Sequence, residues 1–398
     1  MKLIILAAWE GSRLRPLTNT IPKALIKIVW KTIIEHNLEI ILSEENKSNF
    51  DEIIFIVKYK KEKFIEHFWD KYNGIKITYK TQWEKKGTGW ALMGLLDISD
   101  DILIINWDSI FEKCDLEKIV TFNWYAILTK KVESPEKYGI CQIKSDNTIN
   151  KIVEKPVQFI WDLANLWVYK FNSRFLEYIG KTPLSPRWEY ELIEALNEFA
   201  ENFPLKAIEI DWDFIDIWYP WDILTANAHF LNKLSESKIS WEIEDWVTIK
   251  WNIILEKWAI LKSGTYIEWN CYIWKNTSIW PNIFIRWNTC IWKNCKIWSN
   301  NEIKNSNIWD NTNIAHLSYI WDSIIWNNVN IGWGFITANL RHDNANIKVP
   351  VKWILTDTWL RKLWVIIWDN VKTWIKAYSM PGRVIENDNL IMPGEIIK

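Results

Sequence analysis

Residues 267–303 read IEWNCYIWKNTSIWPNIFIRWNTCIWKNCKIWSNNEI, and an isoleucine recurs in this stretch at every sixth position. The rhythm resumes beyond it, so the periodic residues are Ile267, Ile273, Ile279, Ile285, Ile291, Ile297, Ile303, Ile308, Ile314, Ile320, Ile325 and Ile331. This period matches neither the 3.6-residue repeat of an α-helix nor the two-residue alternation of a strand. It is typical of a hexapeptide-repeat β-helix, whose triangular coils send one aliphatic side chain inward from each side. The sequence therefore predicts a parallel β-helix over residues 241–398.

The position after each periodic isoleucine carries a second signal. It holds Gly332 after Ile331, and after seven of the other isoleucines it holds Trp274, Trp280, Trp292, Trp298, Trp309, Trp321 and Trp326. A small residue suits a tight coil, whereas a column of indoles would expose a large apolar patch. Two coils place a cation there instead, Arg286 after Ile285 and Lys304 after Ile303.

The first part of the chain has a different organisation. Short apolar runs at Leu3–Ala8, Ile53–Val57 and Ile102–Ile105 predict buried strands. Between the first two of these runs, the apolar residues Ile33, Ile34, Leu38, Ile41 and Leu42 lie on one face of a predicted helix. Strands that alternate with helices predict a doubly wound α/β sheet over residues 1–234, with ligands beyond the carboxyl ends of its strands. The polar stretch NKLSESKIS, residues 232–240, marks the predicted boundary.

Composition gives little support for several classes of partner. The net charge of -1 gives no reason to expect nucleic acid, and no apolar run approaches the ~18 residues of a membrane span. Because MKLIILAA, residues 1–8, runs straight into a polar loop, we expect no signal peptide. The five cysteines form no CxxC pair, so we expect reduced thiols in a cytoplasmic protein.

A series of motifs in the first part resembles the sugar-1-phosphate nucleotidylyltransferases. That family opens with LAAGxGxRLxPLT followed by PK, and residues 6–25 read LAAWEGSRLRPLTNTIPKAL. The resemblance continues in the same order through TQWEKKGTGWAL (81–92), IINWDSIF (104–111), KYGI (137–140), EKP (154–156), ANLWVYKF (164–171) and FIDIWYPWD (214–222). It implies an α/β Rossmann-like doubly wound nucleotidyltransferase domain, followed by a left-handed parallel β-helix of hexapeptide repeats.

The resemblance also implies roles for individual residues. Arg13 and Lys23 would neutralise the triphosphate and the leaving pyrophosphate, a task that suits their charge. Asp108 and Asp216 would bind Mg²⁺, although an isolated aspartate at a strand end is commonly a turn or cap residue. The nucleotide, UTP or dTTP, would be held by Leu6, Ala8, Trp9, Gly11, Gln82, Gly87 and Thr88. The sugar 1-phosphate would be held by Gly139, Glu154, Lys155 and Asn165.

The segment AHLSYIWDSIIWNNVNIGWGFITANLR, residues 315–341, resembles the acetyltransferase half of bifunctional enzymes that acetylate an amino-sugar 1-phosphate and then uridylylate it. The resemblance implies acetyl-CoA as co-substrate and His316 as general base, although a lone histidine is often only a polar turn residue. The implied substrate contacts are Tyr319, Asn339, Lys348, Arg286 and Lys304. A homotrimer is expected by analogy.

Two alternatives stay open at the level of sequence. One is a monofunctional glucose-1-phosphate uridylyl- or thymidylyltransferase with a purely structural β-helix. The other is a non-catalytic scaffold that binds sugar nucleotides, against which the retention of Arg13, Lys23, Asp108 and Asp216 argues.

Tryptophan stands at positions where the family commonly has glycine or another small residue, namely Trp9, Trp90, Trp107, Trp167 and Trp218. The chain has 32 tryptophans and only 12 glycines in 398 residues, less than half the usual glycine share of ~7%. We hypothesise that the source organism reads one codon as glycine and that this sequence was translated with that codon as tryptophan. The alternatives are a genuinely tryptophan-rich protein and an inactive homologue.

Overall fold

The chain forms two units, each with its own hydrophobic core. The computed structural model describes residues 1–82, 87–185, 188–212 and 214–398. The first unit comprises residues 1–10, 21–26 and 31–216, and the second comprises residues 11–20, 27–30 and 217–398. The domain ranges 1–234 and 241–398 stay predictions. In the described part of the chain, no helix is long and apolar enough to cross a membrane.

Strands and helices alternate along residues 1–232. The strands are Lys2–Ala7 (β1), Lys27–Ile28 (β2), Lys31–Thr32 (β3), Glu52–Val57 (β4), Lys71–Tyr72 (β5), Ile75–Thr81 (β6), Ile102–Asn106 (β7), Ser109–Ile110 (β8), Ala126–Lys131 (β9), Gly139–Ile143 (β10), Ile149–Glu154 (β11), Leu163–Phe171 (β12), Lys206–Glu209 (β13) and Ile215–Asp216 (β14). The helices are Ile33–Ile41 (α1), Lys61–Phe68 (α2), Thr88–Leu92 (α3), Lys113–Thr121 (α4), Arg174–Lys181 (α5), Leu192–Asn202 (α6) and Asp222–Asn232 (α7).

The main sheet of the first unit has the order β11–β10–β12–β7–β1–β4–β6–β5, with β9 paired to β12 and β13 paired to β9. Strand β1 lies between β4 and β7 and is parallel to both. A strand covered on both faces requires apolar residues at successive positions, which explains the buried run LIILA at residues 3–7. The three strands expected from apolar runs correspond to β1, β4 and β7, so the prediction of a doubly wound α/β sheet is confirmed.

A capping box fixes the start of α1, the helix predicted from the isoleucine-rich face. The Thr32 hydroxyl accepts a hydrogen bond from the Glu35 backbone N–H, and the Glu35 carboxylate accepts one from the Thr32 N–H. The same carboxylate lies 3.0 Å from His67 Nε2 on α2. Burial acts to raise the pKa of Glu35, but the hydrogen bonds from His67 and Thr32 outweigh burial and lower that pKa to about 2.

The second unit contains a parallel β-helix with three faces. The strands of the first face are Lys238–Ile239, Ile253–Leu255, Cys271–Ile273, Thr289–Ile291, Asn307–Ile308, Ile324–Ile325, Val365–Ile367 and Arg383–Ile385. Those of the second face are Ile260–Leu261, Ser278–Ile279, Lys296–Ile297, Asn313–Ile314, Asn330–Ile331, Lys372–Thr373 and Leu390–Ile391. Those of the third face are Thr248–Ile249, Tyr266–Ile267, Phe284–Arg286, Glu302–Lys304, Tyr319–Trp321, Ile336–Thr337, Tyr378–Ser379 and Ile396–Ile397.

The periodic isoleucines form the core of this β-helix, as the six-residue period predicts. All twelve are at most 1% exposed. Each fully buried isoleucine contributes roughly 1.5–3 kcal/mol of hydrophobic stabilisation. Each coil lies over the next in parallel register, for example Ile273 over Ile291 and Ile285 over Ile303. The predicted hexapeptide β-helix is therefore confirmed.

All three corners between faces include left-handed residues, and two of the corners have one on almost every coil. At the first corner, between the first and second faces, the residues with positive φ are Trp258, Asn276, Asn294, Asn311, Asn328, Asn370 and Asp388. At the second corner, between the second and third faces, they are Trp246, Gly264, Asn282, Asn300, Leu317, Gly334, Lys376 and Gly394. Asparagine and glycine adopt this conformation most readily. Asparagine side chains at the first corner also hydrogen-bond from coil to coil, at 3.1 Å between Asn276 and Asn294.

Tryptophan occupies backbone positions that normally select glycine. Eight of the described tryptophans have φ between 38° and 68°: Trp69, Trp167, Trp188, Trp246, Trp258, Trp287, Trp353 and Trp359. Six others have a buried indole N–H without a hydrogen-bond acceptor: Trp107, Trp280, Trp321, Trp326, Trp364 and Trp368. A positive φ costs an ordinary L-residue roughly 1–2 kcal/mol, and a buried unsatisfied donor costs a similar amount. Both features support the hypothesis that these positions are glycine in the native protein.

One excursion leaves the coils without interrupting their stacking. Ile308 pairs with Ile325 on the next coil, and Ile325 pairs in turn with Ile367. The chain between the second pair is more than twice as long as the chain between the first pair. The intervening residues include a hairpin of strands Lys348–Val351 and Ile354–Asp357. The excursion lies between the strands Ile336–Thr337 and Val365–Ile367, where the six-residue rhythm of the sequence is lost.

Candidate functional site

A short antiparallel strand pair brings the two predicted metal ligands together in the first unit. Strand β14 pairs with β8 so that Asp216 lies opposite Ser109, the residue that follows Asp108. The Ser109 hydroxyl donates a short hydrogen bond to Asp216, and the Tyr138 hydroxyl lies 3.4 Å from the same carboxylate. Both aspartates therefore lie at the carboxyl end of β7, where a doubly wound sheet binds its ligands.

Lys23 joins this pair of carboxylates. Its ammonium lies 3.1 Å from Asp108 Oδ2, and its side chain is almost fully buried. A buried ammonium requires an anionic partner, which Asp108 supplies. The structure thus brings together three residues, Lys23, Asp108 and Asp216, that the sequence assigned to catalysis and metal binding.

The donor set of this cluster fits Mg²⁺. Magnesium is commonly held by one or two carboxylates, with substrate phosphates and water completing its coordination. In the described ranges, no group of three or more histidines, cysteines, aspartates and glutamates forms a complete metal cage. Asp108 and Asp216 therefore fit a metal that is bound together with a phosphate substrate.

The loop after β1 is divided between the two units. Leu6 and Ala8 are buried at the end of β1, whereas Trp9 is 54% exposed at the start of the loop. Gly11 has φ 68°, and its carbonyl accepts a hydrogen bond from the Thr18 hydroxyl. Arg13 follows in the second unit and is exposed. Its guanidinium lies 5.7 Å from the ring of Trp218.

The backbone at position 87 requires a glycine. Its φ is 111°, and a Cβ there would lie 2.2 Å from the Tyr190 carbonyl oxygen. Gln82 donates a 3.1 Å hydrogen bond to the Gly87 carbonyl, and the Thr88 hydroxyl accepts one from the Leu192 N–H. Three of the predicted nucleotide-binding residues, Gln82, Gly87 and Thr88, are therefore adjacent. Residues 83–86 of this motif lie outside the described ranges.

The predicted sugar-phosphate residues lie on neighbouring strands. Gly139 on β10 pairs directly with Glu154 on β11, and a Cβ on Gly139 would come within 3.0 Å of the Glu154 carboxylate. Lys155 Nζ lies 3.8 Å from that carboxylate. Asn165 on β12 is fully buried, and its amide donates to the Tyr169 hydroxyl. The side chain of Asn165 is thus hydrogen-bonded inside its own strand, and its sugar contact stays a prediction.

In the second unit, the third face of the β-helix aligns three predicted acetyltransferase residues. Arg286 lies over Lys304, and Glu302 lies over Tyr319 on the following coil. The Arg286 guanidinium is 3.0 Å from Glu268 and 3.4 Å from Glu302. Burial, with a contribution from Glu302, raises the pKa of Tyr319 to about 12.

Lys304, which is predicted to contact the substrate phosphate, is buried in this structure. It is 3% exposed, and its ammonium lies 3.3 Å from Asp322. Its ammonium also lies 4.2 Å from the centre of the Trp287 ring and 4.5 Å from that of Trp321. Burial lowers the pKa of Lys304 and raises that of Asp322, because burial disfavours both charged forms. The contact of Lys304 with a substrate phosphate therefore stays a prediction.

His316 lies exposed at the second corner, one residue before Leu317. Its backbone carbonyl accepts a 3.0 Å hydrogen bond from the Gly334 N–H on the next coil. Asn339 and Lys348 lie in the excursion, and no hydrogen bond or ion pair within the described ranges joins either to His316. The structure thus aligns Arg286, Lys304 and Tyr319 on one face, and the roles of Asn339 and Lys348 beside the base stay predictions.

Three residues that contact the predicted site residues were not assigned from the sequence. Ser109 and Tyr138 contact Asp216, and Asp322 is the counterion of Lys304. Each lies inside a motif that the sequence already singles out, IINWDSIF, KYGI and HLSYIWD. Their polar side chains, next to assigned residues in those motifs, were the signal from which they could have been predicted.

Comparison with known proteins decides the family. The family model described as nucleotidyl transferase matches residues 2–233. The chain belongs to the nucleotidyl transferase family. This confirms the predicted resemblance and the assignment as an enzyme.

Several relatives of this nucleotidyltransferase match along nearly its whole length. The bifunctional protein GlmU of Methanocaldococcus jannaschii is 40% identical, covering 96% of this chain and 91% of the relative. A bifunctional sugar-1-phosphate nucleotidylyltransferase/acetyltransferase of Sulfurisphaera tokodaii is 37% identical, covering 100% of this chain and 97% of the relative. The solved structure of a putative glucose-1-phosphate thymidylyltransferase from Bacillus anthracis shares the fold, with a TM-score of 0.52 at 24% identity over 60% of this chain and 98% of that one.

Proposed function

We propose that this nucleotidyltransferase transfers a nucleotidyl group from UTP or dTTP to a sugar 1-phosphate and also acetylates an amino-sugar 1-phosphate with acetyl-CoA. The observation that supports the first activity is the cluster of Lys23, Asp108 and Asp216 at the carboxyl end of β7. The second activity is supported by the alignment of Arg286, Lys304 and Tyr319 on one face, and by full-length relatives with bifunctional names.

In nucleotidyl transfer, a phosphate oxygen of the sugar 1-phosphate attacks the α-phosphorus of the nucleotide, and pyrophosphate leaves. Asp108 and Asp216 would hold Mg²⁺, which when bound supplies charge neutralisation on the reacting phosphates. Lys23 and Arg13 would balance the charge of the triphosphate and of the departing pyrophosphate. The Ser109 and Tyr138 hydroxyls orient the Asp216 carboxylate by hydrogen bonding. No protein nucleophile is required.

The remaining contacts would select the substrates. Leu6, Ala8, residue 9 and Gly11 would lie along the nucleotide, with Gln82, Gly87 and Thr88 at its base. Gly139, Glu154, Lys155 and Asn165 would bind the sugar 1-phosphate.

In acetyl transfer, the amine of the amino sugar attacks the thioester carbonyl, and coenzyme A leaves as the thiol. His316 would take the proton that the amine loses, a role that suits an exposed imidazole. Arg286, Lys304 and Lys348 would bind the sugar phosphate, and Tyr319 and Asn339 would contact the amino sugar. We further propose a homotrimer in the cytoplasm, a setting that agrees with five free cysteine thiols.

The test uses the protein purified from its source. Pyrophosphate release is measured with UTP or dTTP and a panel of sugar 1-phosphates, and free thiol release is measured with acetyl-CoA and amino-sugar 1-phosphates. We expect Asp108→Asn to abolish only the first activity and His316→Ala to abolish only the second. His342→Ala, at another exposed histidine of the second unit, is the matched control and should retain both.

The outcomes separate the alternatives. Pyrophosphate release without acetylation of any acceptor would indicate a monofunctional enzyme with a structural β-helix. The absence of both reactions with every substrate would indicate a non-catalytic scaffold.

A further inference from the structure

The second corner of the β-helix holds three residues that its backbone does not favour, Trp246, Leu317 and Lys376, and Leu317 is the apolar one that the tryptophan hypothesis does not explain. Each coil needs a left-handed residue there, and the two coils that flank Leu317 supply Asn300 and Gly334. Leu317 has φ 59° although a leucine Cβ disfavours this conformation. The corner therefore explains a positive φ at this position but not an apolar side chain.

Packing does not explain the leucine either. Leu317 is 52% exposed, whereas the inward residues before and after it, Ile314 and Ile320, are fully buried. An exposed side chain in a strained conformation gains little from the core of the free protein. The corner requires the left-handed conformation but not a leucine, and a strained residue type without a packing reason is a reason to look for a function.

The position of Leu317 in the chain relates it to the proposed acetyltransferase site. It follows His316 directly and precedes Tyr319 by two residues. The Gly334 N–H holds the His316 carbonyl at 3.0 Å, so the corner backbone is anchored to the next coil. Leu317 is thus the direct neighbour of the proposed base on an anchored backbone.

We propose that Leu317 binds the acyl donor, by apolar contact with the arm of acetyl-CoA next to its thioester. The inference rests on the proposed acetyl transfer. The acceptor is a charged, hydroxyl-rich sugar phosphate, which Arg286 and Tyr319 suit better than a leucine does. The arm of the donor carries methylene groups, and an exposed leucine gains binding free energy only by covering such apolar surface.

The experiment replaces Leu317 by the residues that neighbouring coils use. Leu317→Asn and Leu317→Gly should unfold at the same temperature as the unaltered protein or higher, because both relieve strain. Their KM for acetyl-CoA should rise about fivefold to tenfold, and their KM for the amino-sugar phosphate should not change. Leu317→Met keeps an apolar side chain and should retain the original KM. Lys376→Asn, in the same corner position of another coil, is the matched control.

Two readouts distinguish the failure of this inference from that of the proposed function. Nucleotidyl transfer reports that each variant is folded, and calorimetric titration with coenzyme A reports donor binding without catalysis. If the unaltered protein binds coenzyme A and Leu317→Asn binds it equally well, the role of Leu317 is refuted alone. If the unaltered protein neither transfers acetyl groups nor binds coenzyme A, the acetyltransferase proposal fails, and the role of Leu317 fails with it.

Discussion

Replacing the eight tryptophans of positive φ by glycine should stabilise the protein. Each costs roughly 1–2 kcal/mol in that conformation. Glycine loses more conformational freedom on folding, which offsets roughly 0.5–1 kcal/mol of the gain. The net increase in the free energy of unfolding is then about 4–8 kcal/mol for the eight sites. That is a large share of the ~5–15 kcal/mol that stabilises an ordinary domain.

Little burial is lost at most of these positions, although Trp167 packs against the core and Trp287 lies over Lys304. Trp246 is 86% exposed and Trp353 is 93% exposed, so their indoles contribute little hydrophobic stabilisation. Trp124 is also largely exposed, but its φ is not positive. Trp124→Gly is therefore the matched control, and it should leave stability unchanged or lower it slightly.

The assay has two parts. Urea denaturation of the printed sequence and of the eight-glycine variant measures the change in the free energy of unfolding. Peptide mass spectrometry of the protein from its own source, covering position 9 and the two corner positions 246 and 258, identifies the residue that is made there. Tryptophan masses at these positions, together with a loss of stability on substitution, would refute the reasoning.

Two further predictions concern single buried or half-buried charges. The depressed pKa of Glu35 stabilises the protein above the pH at which this group titrates in the unfolded chain, so up to about 3 kcal/mol should be lost as pH falls from about 4.5 to about 2. Denaturation midpoints at pH 7 and pH 3 should show a smaller acid loss for Glu35→Gln than for the unaltered protein. Asp322→Asn should lower the free energy of unfolding by about 3–5 kcal/mol, because it leaves the buried Lys304 ammonium without its counterion. Adding Lys304→Met to that variant should restore most of the loss in the same denaturation assay.

Each of these predictions has a contrary outcome. Glu66→Gln, at an exposed ion pair with Lys63, should leave the acid loss as it is in the unaltered protein. An equal acid loss in Glu35→Gln would mean that other groups govern acid unfolding. Equal stability of the Asp322→Asn protein and the double variant would mean that Lys304 does not depend on this carboxylate.

The β-helix could be read from the sequence because its signal is local and repeated. An inward position of a narrow coil admits only an aliphatic side chain, so the isoleucine rhythm specifies both the fold and its core. The buried strands β1, β4 and β7 were equally legible, since a strand covered on both faces requires an uninterrupted apolar run.

The arrangement of the candidate site could be read only in part. Motifs identified Asp108 and Asp216, but the pairing of β8 with β14 joins segments more than a hundred residues apart, and no local pattern encodes it. The sequence shows that Lys304 is a cation where most coils have a tryptophan or a glycine. Its burial against Asp322 depends on the stacking of successive coils, which the sequence of a single coil does not encode.

The excursion between Ile325 and Ile367 determines where the chain of the β-helix can change in length. The ladder of the first face closes across it, so the stacked coils remain continuous whatever length of chain lies between. Doubling a flexible loop adds only about 0.6 kcal/mol of closure entropy. Changes of length in residues 338–363, away from the proposed substrate residues Asn339 and Lys348, are thus thermodynamically cheap. A change of length inside a strand of a coil would instead turn its isoleucine away from the core. Variation in length in this half of the molecule should therefore concentrate in that one segment.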